Sequence, residues 1–272
     1  MKNNFLTALL AILLLPAMAV PAFAASRKAA SNDDTPPPIR KFDQGTLEKL
    51  GVAIYEQDIR AAQATDLLFA RRGGKNQLAK EGLRGWIVEG DAPNMTVLFI
   101  KQGAIGLEAA YSIKFSEKKK PVIEVPATSA LTERQRALYE ARTLASKNIK
   151  RPCSNAYSYV MLPDPEKSEN ILVYALAATT KTDEVMVGGH YRFTISGDGK
   201  RVERADALSR SCMTLKKDKN VVGLAVTTLL DERPQETHVY LSLLHKISLS
   251  VITPKRAMWL VSDGKMLPLD AK

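Results

Sequence analysis

The sequence predicts an α+β protein, and three observations carry that expectation. Apolar residues recur at helical spacing from Thr46 to Ala70 and again after Thr132. Elsewhere they alternate or run in blocks of strand length, and Gly, Pro, Asn and Asp clusters separate those blocks at short intervals. The expected architecture is two long helices with antiparallel sheet in an N-terminal half, then a β-rich antiparallel meander, with one disulfide.

The chain opens MKNNFLTALLAILLLPAMAVPAFAAS, in which Lys2 precedes an apolar run from Phe5 to Leu15, followed by Pro16 and the small-residue site Ala22-Phe23-Ala24. That order is the pattern of a secretory signal peptide, taken here as residues 1–25. The run falls short of the roughly 20 apolar residues that cross a bilayer. The alternative is an uncleaved N-terminal anchor. With cleavage the expected address is the bacterial periplasm or the medium, with no integral membrane segment afterwards. Residues 26–45, with Ser, Asn, Asp and three consecutive prolines and little to bury, read as a disordered lead.

A helix is expected from Thr46 to Ala70, with Leu47, Leu50, Ile54, Ala61, Ala62, Thr65, Leu68 and Phe69 near one face and Arg71-Arg72-Gly73-Gly74 at its end. "LRGWIVEG" with "MTVLFIKQG", and "IGLEAAYSIKF" with "PVIEV", read as two hairpins. Thr132 and Gln135 have capping-box spacing for a second helix, whose buried stripe is Leu138, Ala141, Leu144 and Ala145. A break at 148–152 divides a mixed half, 46–148, from a β-rich half, 149–272, unless 46–272 is one continuous domain.

In the second half, "AYSYVML", "NILVYALAAT", "EVMVGGHYRFTIS", "KRVERA", "NVVGLAVTTLL", "ETHVYLSLL", "KISLSVIT" and "AMWLVSDGKMLPL" all read as strands. Within "GGHYRFTISGDGKR", Tyr191, Phe193 and Ile195 alternate with His190, Arg192 and Thr194, the pattern of a half-buried strand. Asp198-Gly199 suits a two-residue type I′ turn pairing Ile195 with Val202 and Thr194 with Glu203, and Gly188-Gly189 suits a bend or bulge. "ETHVYLSLL" repeats the alternation and places His238 and Tyr240 on a polar strand face. His190, Arg192, His238 and Tyr240 are therefore the candidate ligand-facing residues; the alternative is a solvated sheet face.

Cys153 and Cys212 are the two cysteines of an exported chain, and pairing is expected, against the alternative of two free buried thiols. Closing so long a loop stabilises by about 4 kcal/mol in the chain-entropy picture. Zinc-type spacing of His and Cys, a Gly-x-Ser-x-Gly elbow and a phosphate loop are absent from the sequence, so neither metal nor cofactor is expected. The formal charge of +10, or +9 without Lys2, favours anionic envelope partners, and export disfavours nucleic acid.

"GGHYRFTISGDG", Ser211-Cys212, "HVYLSL", "SVIT" and "MWLV" resemble a family of uncharacterised, signal-bearing proteobacterial proteins. The resemblance implies an exported bacterial protein and carries over no catalytic residue. Two function classes stand on the residues: a non-enzymatic envelope protein that binds anionic partners, and a hydrolase of an anionic envelope polymer with His190 or His238 as base.

Overall fold

The computed structural model describes residues 38–218 and 220–269, so the signal segment and most of the expected lead lie outside the described residues. The first helix, α1 (Gln44–Arg72), starts where Asp43 Oδ1 accepts the Thr46 N–H at 3.0 Å. It ends at the left-handed Gly73, with Arg71 and Arg72 in its last turn facing the negative end of the helix dipole. After the short α2 (Lys75–Lys80) come β1 (Leu83–Glu89), β2 (Thr96–Gln102), β3 (Leu107–Ser116) and β4 (Lys119–Glu124). The two expected hairpins are one antiparallel sheet in sequential order, because β2 also pairs with β3. In α3 (Glu133–Lys147) the expected box is formed: Thr132 Oγ1 accepts the Gln135 N–H at 3.2 Å, and Gln135 Oε1 accepts the Thr132 N–H at 3.0 Å.

The second half holds β5 (Tyr157–Pro163), β6 (Ile171–Ala177), β7 (Glu184–Met186), β8 (Tyr191–Ile195), β9 (Val202–Ala207), β10 (Thr214–Lys216) and β11 (Gly223–Thr227). Then come α4 (Glu236–His245), β12 (Ser248–Ile252), β13 (Met258–Ser262) and β14 (Lys265–Leu269). They form a sheet in the order β5-β6-β8-β9, a β7-β10 ribbon and a sheet in the order β11-β12-β13-β14.

The fold is α+β with the Cys153–Cys212 disulfide, but the single meander is corrected: "ETHVYLSLLH" is helix α4, and it links β11 to β12 as a parallel pair. Parallel neighbours require a crossover connection, which the helix supplies. The alternation that suggested a strand is uninformative here, because every residue from Glu236 to Ser242 is buried. A helix with no solvent face shows no helical period.

Three smaller expectations are also corrected. Residues 38–43, assigned to the lead, pack onto the body, with Ile39 and Phe42 buried. The "EVMVGGHYRFTIS" strand breaks into β7 and β8 at Gly188-Gly189. A Cβ on Gly188 would lie 2.3 Å from the Ser211 carbonyl oxygen, and one on Gly189, at φ 89°, would lie 2.3 Å from Cys153 Cβ. The pair therefore lets the disulfide-bearing segments close on the strand. In the next turn only Gly199 has positive φ, and a bulge pairs Thr194 with Arg204 rather than Glu203, although Ile195 does oppose Val202.

Three apolar cores organise the elements. The first half of α1 (Leu47, Leu50, Ile54), α4, one face of β5-β6-β8-β9 and the inner face of β11-β14 form the first. The other face of β5-β6-β8-β9 and β1-β3 close on α3 in the second, and the later turns of α1 cover the opposite face of β1-β4 in the third. Two of the three cores thus draw on both sides of Asn148. Among the described residues no helix is long and apolar enough to cross a membrane.

Helix α1 reaches α4 through Gly51, where a Cβ would lie 2.4 Å from Val239 Cβ and 2.7 Å from the Glu236 carbonyl oxygen. Two effects oppose one another in Gly51→Ala. Helix propensity favours alanine by about 1 kcal/mol, whereas overpacking costs about 1–3 kcal/mol. With contacts this short the packing term wins, and the variant is expected to melt roughly 2–8 °C lower. A rise in melting temperature would show that the two helices do not meet at this residue.

Candidate functional site

None of the four residues expected on an open sheet face is there. Arg192 is completely buried, His190, His238 and Tyr240 are nearly so, and His238 and Tyr240 belong to α4 rather than to a strand. The expectation assumed a one-sided sheet. In fact β8 is an internal strand, and the elements of two cores cover its two faces, so polar alternation marks a second buried layer and not solvent.

Arg192 is neutralised where it lies. Its Nη1 donates to Glu236 Oε1 at 2.6 Å, and its Nη2 donates to Asp206 Oδ2 at 2.9 Å and to the Arg40 carbonyl at 2.5 Å. Tyr174 also donates to Glu236 Oε1, at 3.0 Å, and the Phe42 ring lies under the guanidinium with its centroid 4.8 Å from Cζ. Glu236 sits in the first turn of α4, where the helix dipole favours a carboxylate. Burial pulls the Arg192 pKa down, but Glu236 and the neighbouring groups more than offset it, so the guanidinium is held above the ordinary arginine range.

The segment before α1 closes over this pair. Arg40 forks Asp164 through Nη1 and Nη2 at 2.5 and 2.7 Å, and its N–H donates to Asp206 Oδ2 at 3.2 Å. Lys41 pairs with Asp231 at 3.0 Å, and Arg204 donates to the Pro38 carbonyl. Tyr240 donates to Asp58 Oδ2 at 2.8 Å, and Asp58 Oδ1 accepts the Ser158 hydroxyl, which ties α4 to α1 and β5.

Both buried histidines are occupied by the backbone. His190 Nδ1 accepts the Ala177 N–H at 3.0 Å, which leaves Nε2–H to donate to the Met186 carbonyl at 2.8 Å. His238 Nδ1 accepts the Gln235 N–H at 2.9 Å. Burial pushes each imidazole down to about 4. The cavity that His238 lines, with Val187, Leu208, Met213 and Val226, measures about 70 Å³. That admits a few waters and falls well below the roughly 300 Å³ of a small-molecule pocket.

A different cation is left without a counter-charge. Arg142 projects from α3 into a ring of aromatics, its Cζ 4.9 Å from the Tyr159 centroid, 5.7 Å from Trp86 and 5.8 Å from Tyr139. Burial lowers its pKa, and among the described residues it makes no ion pair and no hydrogen bond. Its Nε and the Trp86 Nε1 are both buried donors without an acceptor. On β1 a bulge inserts Arg84 between Leu83 and Gly85, and this exposed arginine lies close enough to act on the Tyr139 phenol, whose pKa is raised chiefly by burial.

No family model, curated protein or solved structure matches the chain. Sequence reasoning missed Arg142 because its position, between Ala141 and the half-buried Thr143 on a helix, looks like any solvated arginine. It missed Glu236 and Asp206 because their partner lies 44 and 14 residues away.

Two outcomes follow from the buried groups. Arg192→Met strands two buried carboxylates and is expected to cost about 3–5 kcal/mol in denaturant unfolding, with partial recovery in Arg192→Met/Glu236→Gln. A fully additive double variant would deny the coupling. The histidines bind protons more readily unfolded than folded, so stability is whole above pH 6.5 and falls as the pH drops toward 4. His190→Gln should flatten the slope of unfolding free energy between those two values; an unchanged slope would show that His190 is not its source.

Proposed function

We propose that the protein is an exported, non-enzymatic binding protein for anionic components of the cell envelope, and that the face built on α3 makes the contact. One observation carries this reading. Between Glu133 and Arg151 stand Arg134, Arg136, Arg142, Lys147, Lys150 and Arg151 against only Glu133 and Glu140, and none of those six cations has a carboxylate partner among the described residues. All but Arg142 are exposed. Elsewhere carboxylates neutralise many surface cations, as at Lys114–Glu124 and Lys216–Asp183. Surplus charge gathered in one segment raises the local concentration of an anionic polymer, and salt screens the attraction over roughly 8 Å.

The hydrolase reading has lost its named bases, since His190 and His238 are neutral, buried and engaged with backbone groups. The expected export agrees with a disulfide, which persists in oxidising compartments.

The reading is tested by co-sedimentation of the mature protein with peptidoglycan sacculi and with anionic phospholipid vesicles over a salt series. Arg136→Glu/Lys147→Glu/Arg151→Glu is expected to weaken binding by roughly tenfold or more and to flatten the salt dependence, with thermal stability retained because all three side chains are exposed. Equal binding by wild type and triple variant would remove α3 as the contact face.

A further inference from the structure

Resting on that reading, we infer that Arg142 is the receptor for a single planar carboxylate carried by the anionic partner. The geometry decides which part of the guanidinium is available. A Cβ on Gly85 would lie 3.1, 3.1 and 3.2 Å from Cζ, Nη1 and Nη2 of Arg142, so the flat face of the guanidinium rests on the glycine backbone. The rings of Trp86, Tyr139 and Tyr159 pack around the same group. The N–H donors of a planar guanidinium act in its plane.

Within that plane, Nε is enclosed and Nη1 and Nη2 are not. The two Nη atoms have no protein acceptor, yet they do not belong to the buried, unpartnered atoms among the described residues, so they reach solvent. The accessible edge is therefore the end-on fork, which takes the two oxygens of one carboxylate in parallel hydrogen bonds. Rings and glycine backbone against a flat guanidinium favour a planar group coplanar with it, whereas the oxygens of a tetrahedral phosphate project out of that plane. One cation without a counter-charge matches a monoanion. Arg84, exposed on the bulge of β1 and close enough to act on Tyr139, adds attraction nearby.

The surroundings supply no carboxylate, and Trp86 Nε1 is a second buried N–H without a partner in the same cluster. The contrast with Arg192 is the measure of how unusual this is. Arg192 is enclosed with two carboxylates and a carbonyl, as a buried cation requires, while Arg142 has only the weaker attraction of aromatic faces.

The experiment uses the mature disulfide-bonded protein, with N-acetylalanine as the carboxylate probe, N-acetylalaninamide as its neutral counterpart and inorganic phosphate as the tetrahedral anion. Arginine side-chain and Trp86 indole resonances are followed by NMR. Saturable shifts are expected with N-acetylalanine and none with the amide, and Arg142→Lys, which keeps the charge and loses the fork, should weaken the carboxylate by roughly tenfold. Absence of saturation in the wild type, shifts retained in Arg142→Gln, or phosphate binding as tightly as the carboxylate would each overturn the assignment. The wild-type titration decides the matter even if a variant does not fold. Arg136→Glu/Lys147→Glu/Arg151→Glu leaves Arg142 and its aromatic neighbours in place, so loss of polymer binding there with carboxylate shifts intact supports both statements. Intact polymer binding in that triple variant would overturn the α3 reading and leave the carboxylate shifts to be judged by themselves.

Discussion

The burial of Arg192 is the constraint around which the second half of the molecule is arranged. A guanidinium taken out of water on an internal strand needs counter-charge and acceptors within hydrogen-bond distance, because an uncompensated buried ion costs several kcal/mol. Here those partners come from three separate elements: Glu236 from the first turn of α4, Asp206 from β9 and the Arg40 carbonyl from the segment before α1. Meeting the requirement of one side chain therefore fixes where a helix begins, which strand lies beside β8 and how residues 38–42 cross the sheet. The ion pair need not add net stability relative to an apolar replacement. What it does is make alternative placements of those elements expensive.

Helix α1 is the second organising feature. Its 29 residues carry two separate apolar stretches, one facing α4 and two sheets and the other facing β1-β4, so one rigid element spans two cores. The closeness of its contact with α4 rests on the missing side chain at Gly51. Tyr240, Asp58 and Ser158 pin the same junction with hydrogen bonds, satisfying polar groups that the packing would otherwise strand. The histidines act in the same way, each ring nitrogen that accepts from a backbone N–H closing a gap left by a strand break or a helix start.

Two arginines in one fold thus show opposite solutions to burial. Arg192 has its charge neutralised by Glu236 and Asp206 and serves architecture. Arg142 has aromatic rings and a glycine against it and, among the described residues, no anion. A cation whose charge is already matched has little to offer an anionic ligand, whereas one without a counter-charge keeps that capacity.

By itself the sequence determined what local physics decides. The extent of α1, its cap at Gly73, the capping box of α3, the hairpins of the first sheet and the apolar alternation of β8 follow from periodicity, terminal residues and turn chemistry within a few positions. The Cys153–Cys212 pairing followed from there being only two cysteines. What lay beyond reach was which face of an element stays exposed, because that depends on what packs against it. His190 and Arg192 read as an open, ligand-facing strand face because their own strand alternates apolar with polar residues, and α4, which helps to cover that face, read as a strand because burial on all sides erases helical periodicity. The charge partners of Arg192 and the solitude of Arg142 were equally hidden, since ionic complementarity acts through space between residues whose separation along the chain carries no signal. Only tertiary structure decides which cation is neutralised and which is left without a counter-charge.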